Sequence, residues 1–186
     1  ETVKKKSELN TIKTQSSKIN TKAYESIINE KSLDKWLKIL NEQSVIAVDT
    51  ETSSLNPLEA DLIGVSFSYA PNKACYIPLA HKNIKSLKKK LVLEKIKPIL
   101  EDPSIKKVGQ NIKFDFIVLK QNGIEVNPIE DTMLISYTLD AGNNRHNLDT
   151  LSEIHLEHKT ISYKELVGTG KNKLNFSDIE LDKATE

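Results

Sequence analysis

The chain has one cysteine, one methionine, one tryptophan and, among 27 basic residues, one arginine. A lone Cys75 cannot close an internal disulfide, which excludes a disulfide-stapled scaffold and fits a reducing compartment. The only methionine is Met133, so residue 1 is not a translation start and the chain is expected to be a fragment or a processed product. No apolar run approaches the roughly 18 residues of a transmembrane helix, and no signal-peptide pattern opens the sequence. The expected place is therefore the cytoplasm, with no membrane partner. An excess of one charge is also lacking, since 27 basic residues face 26 acidic ones. Net charge gives no warrant for a nucleic-acid partner, and any basic surface has to be local. The basic set is lopsided, because every member except Arg145 is lysine. No internal repeat is visible. At 186 residues, 38% hydrophobic and 28% charged, the chain is long enough for one sizeable core and short for two ordinary domains.

Residues 1–28 are rich in Lys, Ser, Thr and Asn, and read as a linker or weakly ordered leader with packing from about Ala23. Lys4, Lys5 and Lys6 fit a solvated tail. The domain is expected to span residues 29–186. Leu33, Trp36, Leu37 and Leu40 recur at helical spacing behind Ser32, a plausible cap. A short buried strand is expected over 45–49, then strands over 61–69 and 74–77 around a turn at 71–73. A helix over 86–100 is expected to be interrupted or redirected near Pro98, its lysines at 88–90 forming an exposed face. A strand over 106–109 and a helix over 113–121, ended by Gly123, follow. Two further helical patterns cover 131–139 and 148–156. This order predicts an α/β domain with one mixed sheet, a three-strand meander plus parallel strands, flanked by helices.

The chemistry concentrates at V-I-A-V-D-T-E-T-S-S-L, residues 45–55. Strand side chains alternate, so Asp49 and Glu51 share a face if extended geometry persists through Thr50. Two carboxylates held together repel unless they are exposed, protonated or holding a cation. A hard divalent ion such as Mg²⁺ or Mn²⁺ relieves that repulsion through oxygen ligands. Alone, a D-x-E pair reads first as a solvated turn. A second segment, V-G-Q-N-I-K-F-D-F at 108–116, places Asn111 near a helix start and Asp115 one turn later on the same face. Singly, Asn111 is explained as an N-cap and Asp115 as a first-turn acid favoured by the helix dipole. Combined with Asp49 and Glu51, they bring a third carboxylate to the end of the same sheet. The four histidines form no zinc-like cluster with cysteine and receive no ligand role. The glycines of G-T-G-K-N-K, Gly168 and Gly170, lack full P-loop spacing and read as a flexible loop.

The segments V-D-T-E-T-S-S-L, V-G-Q-N-I-K-F-D, R-H-N-L-D-T-L and K-T-I-S-Y-K-E-L-V-G-T-G-K-N-K resemble the 3′ to 5′ proofreading exonuclease domain of bacterial DNA polymerase I. The resemblance covers about residues 32–186. The D-x-E and N-x3-D motifs belong to the wider four-carboxylate superfamily that includes ribonuclease D. T-S-S-L, Gln110 and R-H-N-L-D-T-L point more narrowly to the polymerase branch. The resemblance implies a ribonuclease H-like fold and hydrolysis with two divalent metal ions about 4 Å apart, releasing nucleoside 5′-monophosphates from the 3′ end of single-stranded or frayed DNA. It implies that Asp49, Glu51 and Asp115 are the catalytic metal ligands. It further implies that Leu55 is an apolar wedge against the last bases, and that Glu51 and the backbone near Thr52 grip the 3′ hydroxyl. Gln110, Asn111 and Phe114 then line the terminal nucleotide. Tyr163 stacks near the strand. For Leu55, Phe114 and Tyr163, core packing is the competing reading. Arg145 aligns with a phosphate-contacting arginine, and in a lysine-rich chain a planar bidentate fork is one thing lysine cannot imitate. A structural salt bridge or chance is the alternative.

One departure qualifies the carry-over. The family's Tyr-x3-Asp motif, with its water-positioning tyrosine and fourth carboxylate, follows the segment matching S-D-I-E-L-D-K-A-T-E and is not among these residues. The fragment is accordingly expected to be metal-poor and weakly active or inactive, with a C-terminal polymerase domain as partner in the intact chain. A non-catalytic scaffold and a ribonuclease D-like RNA trimmer are the other readings.

Overall fold

The computed structural model describes residues 19–170 and 173–186. Its strands are β1 (Glu25–Ser26), β2 (Val45–Thr52), β3 (Leu62–Ala70), β4 (Lys73–Pro78), β5 (Lys106–Gly109) and β6 (Ile129–Asp131). Its helices are α1 (Glu30–Asn41), α2 (Lys89–Glu101), α3 (Lys113–Gln121), α4 (Thr132–Asp140), α5 (Leu148–Leu156), α6 (Tyr163–Val167) and α7 (Leu181–Thr185). The strands form one mixed sheet in the order β1-β4-β3-β2-β5-β6. β2, β3 and β4 make the antiparallel meander, while β5 and β6 extend it in parallel from β2, and β1 adds a parallel edge to β4.

Alternation decides β2. Ile46, Val48 and Thr50 face inward while Val45, Ala47 and Asp49 face outward, so the strand is half-buried and runs three residues beyond the expected end at Asp49. Its inner side meets Leu33, Trp36 and Leu40 of α1 and Val92, Ile96 and Leu100 of α2 in the main core. Each such large apolar side chain contributes about 1.5–3 kcal/mol by leaving water. A second, smaller cluster of Ile63, Tyr76 and Phe176, with Leu166, Leu181 and Ala184 against it, forms separately.

Several expectations change. Packing starts ahead of residue 29: Glu25 and Ser26 pair with Cys75 and Tyr76, and Ile27 is fully buried. This agrees with packing from about Ala23, and it arises because the edge of β4 offers unpaired backbone groups that a short strand satisfies. Lys4 to Lys6 lie outside the described residues. The cap of α1 is Asn29, whose side chain accepts from the Ser32 N–H at 2.9 Å. Helix α2 starts at Lys89 and continues through Pro98, which falls in its last turns, where buried Ile96, Ile99 and Leu100 hold the backbone in place. Among the described residues no helix is long and apolar enough to cross a membrane.

Three parallel strands, β2, β5 and β6, end on the same side of the sheet, and ligands of open α/β sheets bind outside such strand ends. There Thr52, Gly109 and Asp131 lie at the mouths of the three strands. Gly109 is required by packing, because a Cβ there would lie 2.9 Å from the Ile112 side chain.

Candidate active site

Outside these strand ends is a cleft of about 690 Å³. Asp49 and Glu51 project into it from alternate positions of β2, and Asp115 joins them from the first turn of α3. Thr50, pointing the other way, is buried and fixes Asp115 twice, through its N–H at 2.8 Å and its hydroxyl at 2.5 Å, both donated to Oδ1. Both bonds fall on one carboxylate oxygen and fix the orientation of the group.

The three acids disturb one another. Burial and the Asp115 charge push Asp49 up to about 7. Asp49 keeps accessible surface, but that surface opens into the cleft, where surrounding protein displaces bulk water. Burial, then the charges of Asp49 and Asp115, push Glu51 up to about 8. Burial raises Asp115 too, opposed by the Thr50 hydrogen bonds and reinforced by Asp131. A cation held between them would oppose all three shifts, because it favours the charged forms. Among the described residues no group of three or more His, Cys, Asp or Glu side chains forms a ready-made metal cage. Magnesium uses one or two carboxylates and completes its octahedron with water and substrate phosphate.

Nine of the ten residues singled out in the sequence line this cleft: Asp49, Glu51, Thr52, Leu55, Gln110, Asn111, Phe114, Asp115 and Tyr163. Leu55 stands 94% exposed at the rim, on the loop after β2. Core packing is thus ruled out for Leu55, and Tyr163 is also exposed, with the Lys173 ammonium 5.4 Å from its ring centroid. Phe114 is intermediate, lining the cleft while packing on the main core. Asn111 is not the helix cap. It adopts a left-handed φ of 59°, which asparagine tolerates, and donates its N–H to Asp131 Oδ1 at 2.9 Å. The Gln110 amide is engaged at both ends, donating to the His146 carbonyl at 2.7 Å and accepting from Thr132. The Thr52 hydroxyl donates to the Ser54 carbonyl, shaping the loop toward Leu55.

Arg145 is the exception. It is exposed on the loop between α4 and α5, outside the cleft lining, and makes no ion pair among the described residues. The Gln110 bond to the His146 carbonyl nevertheless anchors the residue next to Arg145 at the cleft's edge.

Sequence reasoning missed Thr50 and Asp131. Thr50 was readable only as the inward member of D-T-E. Asp131 is buried, caps α4 by accepting from the Met133 N–H, and steers Asn111. Its strand, β6, has three residues, too few to show a period. Lys164, Lys173 and Asn175 also line the cleft, opposite the carboxylates in sequence order.

Residues 24–183 match the family model described as 3′-5′ exonuclease. DNA polymerase I of Rhizobium leguminosarum is 39% identical over 183 residues, covering 88% of this chain and 18% of that protein, so the chain spans under a fifth of that relative. Among solved structures, Brucella melitensis NrnC with bound Mg²⁺ superposes with a TM-score of 0.59 at 23% identity, over 87% of this chain and 71% of the other. Escherichia coli RNase D, an exoribonuclease involved in structured RNA processing, gives 0.61 at 20% identity over 78% and 36% of the two chains. These two likenesses establish a shared ribonuclease H-like fold. With the family match spanning all six strands and the cleft, the chain belongs to the 3′-5′ exonuclease family carried by DNA polymerase I.

Proposed function

We propose that the chain is the proofreading domain of a bacterial, cytoplasmic DNA polymerase I, and that it removes nucleotides one at a time from the 3′ end of single-stranded or frayed DNA. The observation that carries this reading is the convergence of Asp49, Glu51 and Asp115 on one cleft whose rim presents an exposed apolar side chain, Leu55. When bound, two divalent cations supply a water of lowered pKa and neutralise charge on the leaving 3′ oxygen. Asp49, Glu51 and Asp115 would hold them, and Thr50 keeps Asp115 in place while doing so.

The remaining residues position the substrate. Leu55 packs against the last bases. Glu51 and the backbone near Thr52 hold the terminal 3′ hydroxyl, and Asn111 and Phe114 line the terminal nucleotide beside Gln110. Tyr163 offers a stacking face tolerant of any base. Arg145 grips phosphate bidentately at the cleft's edge. The polymerase module of the same polypeptide supplies the frayed end. With three of the family's four carboxylates, these 186 residues by themselves bind divalent cations weakly and turn over slowly.

The test uses the full-length protein and matched DNA and RNA oligonucleotides labelled at the 5′ end, in Mn²⁺ or Mg²⁺. The expected result is a ladder shortening from the 3′ end of DNA, lost in Asp49→Ala and in Glu51→Ala. Faster shortening of RNA than of DNA would overturn the reading in favour of an RNA-trimming enzyme.

A further inference from the structure

The mechanism leaves one buried histidine unused. His81 lies just after β4, 6% exposed, in the smaller cluster between the rings of Tyr76 and Phe176, with centroids at 5.7 and 5.8 Å. Its Nε2 is 2.7 Å from the Tyr76 hydroxyl, and its Nδ1 is 3.2 Å from the Ile179 carbonyl. Burial pulls the imidazole pKa below its ordinary value, so at neutral pH the ring carries one proton. The Ile179 carbonyl only accepts, which places that proton on Nδ1. Nε2 then accepts from Tyr76, whose hydroxyl donates.

Both ends of this bridge lead to the cleft. On one side, the Tyr76 ring lies over Gly64, where a Cβ would come within 2.0 Å of the hydroxyl, and Gly64 is the cross-strand partner of Glu51. On the other side, Ile179 ends the segment 174–179, whose first residues, Leu174 and Asn175, line the cleft. The same segment is tied down next door, where the Lys82 N–H donates to the Ser177 carbonyl at 3.0 Å and its ammonium pairs with Asp178 at 2.8 Å. Phe176, between these ties, is buried against Tyr76 and Ile63.

We propose that His81 is a positioning residue for the cleft: by bridging Tyr76 to the Ile179 carbonyl, it clamps the strap 174–179 to the sheet and so holds the wall that Leu174 and Asn175 present to the DNA strand. This rests on the exonuclease reading for the identity of the substrate. The clamp itself is a matter of geometry.

The experiment compares the full-length protein with His81→Ala and His81→Asn, the latter keeping a side-chain N–H in place of Nδ1. Hydrogen exchange is followed in metal-free buffer without DNA, and steady-state kinetics on single-stranded DNA separately. In His81→Ala, peptides covering 174–179 exchange about five- to tenfold faster, the effect of losing one buried hydrogen bond. Peptides of β2 and β5 keep their rates. KM for DNA rises by a similar factor with kcat little changed, and His81→Asn restores both. Unchanged exchange in the strap, equal acceleration across β2 and β5, or no restoration by asparagine overturns the proposal. A strap that behaves as expected in a protein that shortens no DNA contradicts the exonuclease reading and leaves the clamp standing.

Discussion

Asp49 and Glu51 carry opposite obligations, since the fold holds them close and the proposed chemistry needs them charged. Their ordinary values of 3.8 and 4.5 rise to about 7 and about 8 in the folded chain, so between those limits the folded state binds more protons than the unfolded one. Stability contributed by these groups is then fully present below pH 4 and is lost as pH rises through about 7 to 8. The expected measurement is a thermal midpoint that, in EDTA, falls over this pH range and is restored by Mn²⁺, more strongly at pH 8 than at pH 6. Asp49→Asn flattens the pH dependence and removes the Mn²⁺ effect. A midpoint that rises with pH in EDTA contradicts the carboxylate geometry. Thr50 makes a second prediction at this scale. Thr50→Val preserves shape but deletes the hydroxyl donor to Asp115, worth about 1.5–3 kcal/mol for a bond to a charged group. Weaker Mn²⁺ binding by about tenfold, read by titration calorimetry, is the expected outcome.

The elements differ in how they are made, and that decides what was visible beforehand. Gly64 tests the smaller cluster: a methyl group at 64 collides with Tyr76, so Gly64→Ala costs about 1–3 kcal/mol by overpacking and breaks the Tyr76 bond to His81. Chemical denaturation measures it. Helices α1, α3 and α5, the β3–β4 hairpin and β5 were legible because each carries its own period or turn chemistry. Strands β1 and β6, two and three residues long, have no period to read and exist only through their neighbours. Lys107 shows the same limit. In sequence it is one lysine of many, yet it is fully buried, donating to the carbonyls of Ile99 in the last turn of α2 and of Asp102 and Ile105 just after it. His81 was unreadable for the same reason, since its partners lie 5 and 98 residues away. The carboxylates were legible because i and i+2 on a strand and one turn of helix are local rules. Thr50 and Asp131 act across 65 and 20 residues.

At the scale of the whole molecule, two buried clusters supply stability and the ends of the parallel strands carry the proposed chemistry. Helices α1, α2 and α3 bury the main core, while the ends of β2 and β5 and the strap 174–179 enclose a cleft containing charge that folding alone does not stabilise. Leu55, almost fully exposed at its mouth, adds little to the core and is the side chain proposed to meet the last bases. Leu55→Ala is therefore expected to leave the melting point unchanged and to raise KM for DNA severalfold in steady-state assays. Asp49, Glu51 and Asp115 are proposed to form one cation-dependent centre acting on DNA 3′ ends. Single-turnover shortening of a DNA strand by the full-length protein, with and without Asp115→Asn over a series of Mn²⁺ concentrations, tests it most directly. Loss of shortening in the variant, with Mn²⁺ binding weakened, is the predicted result; shortening at the wild-type rate and the same Mn²⁺ dependence contradicts the account.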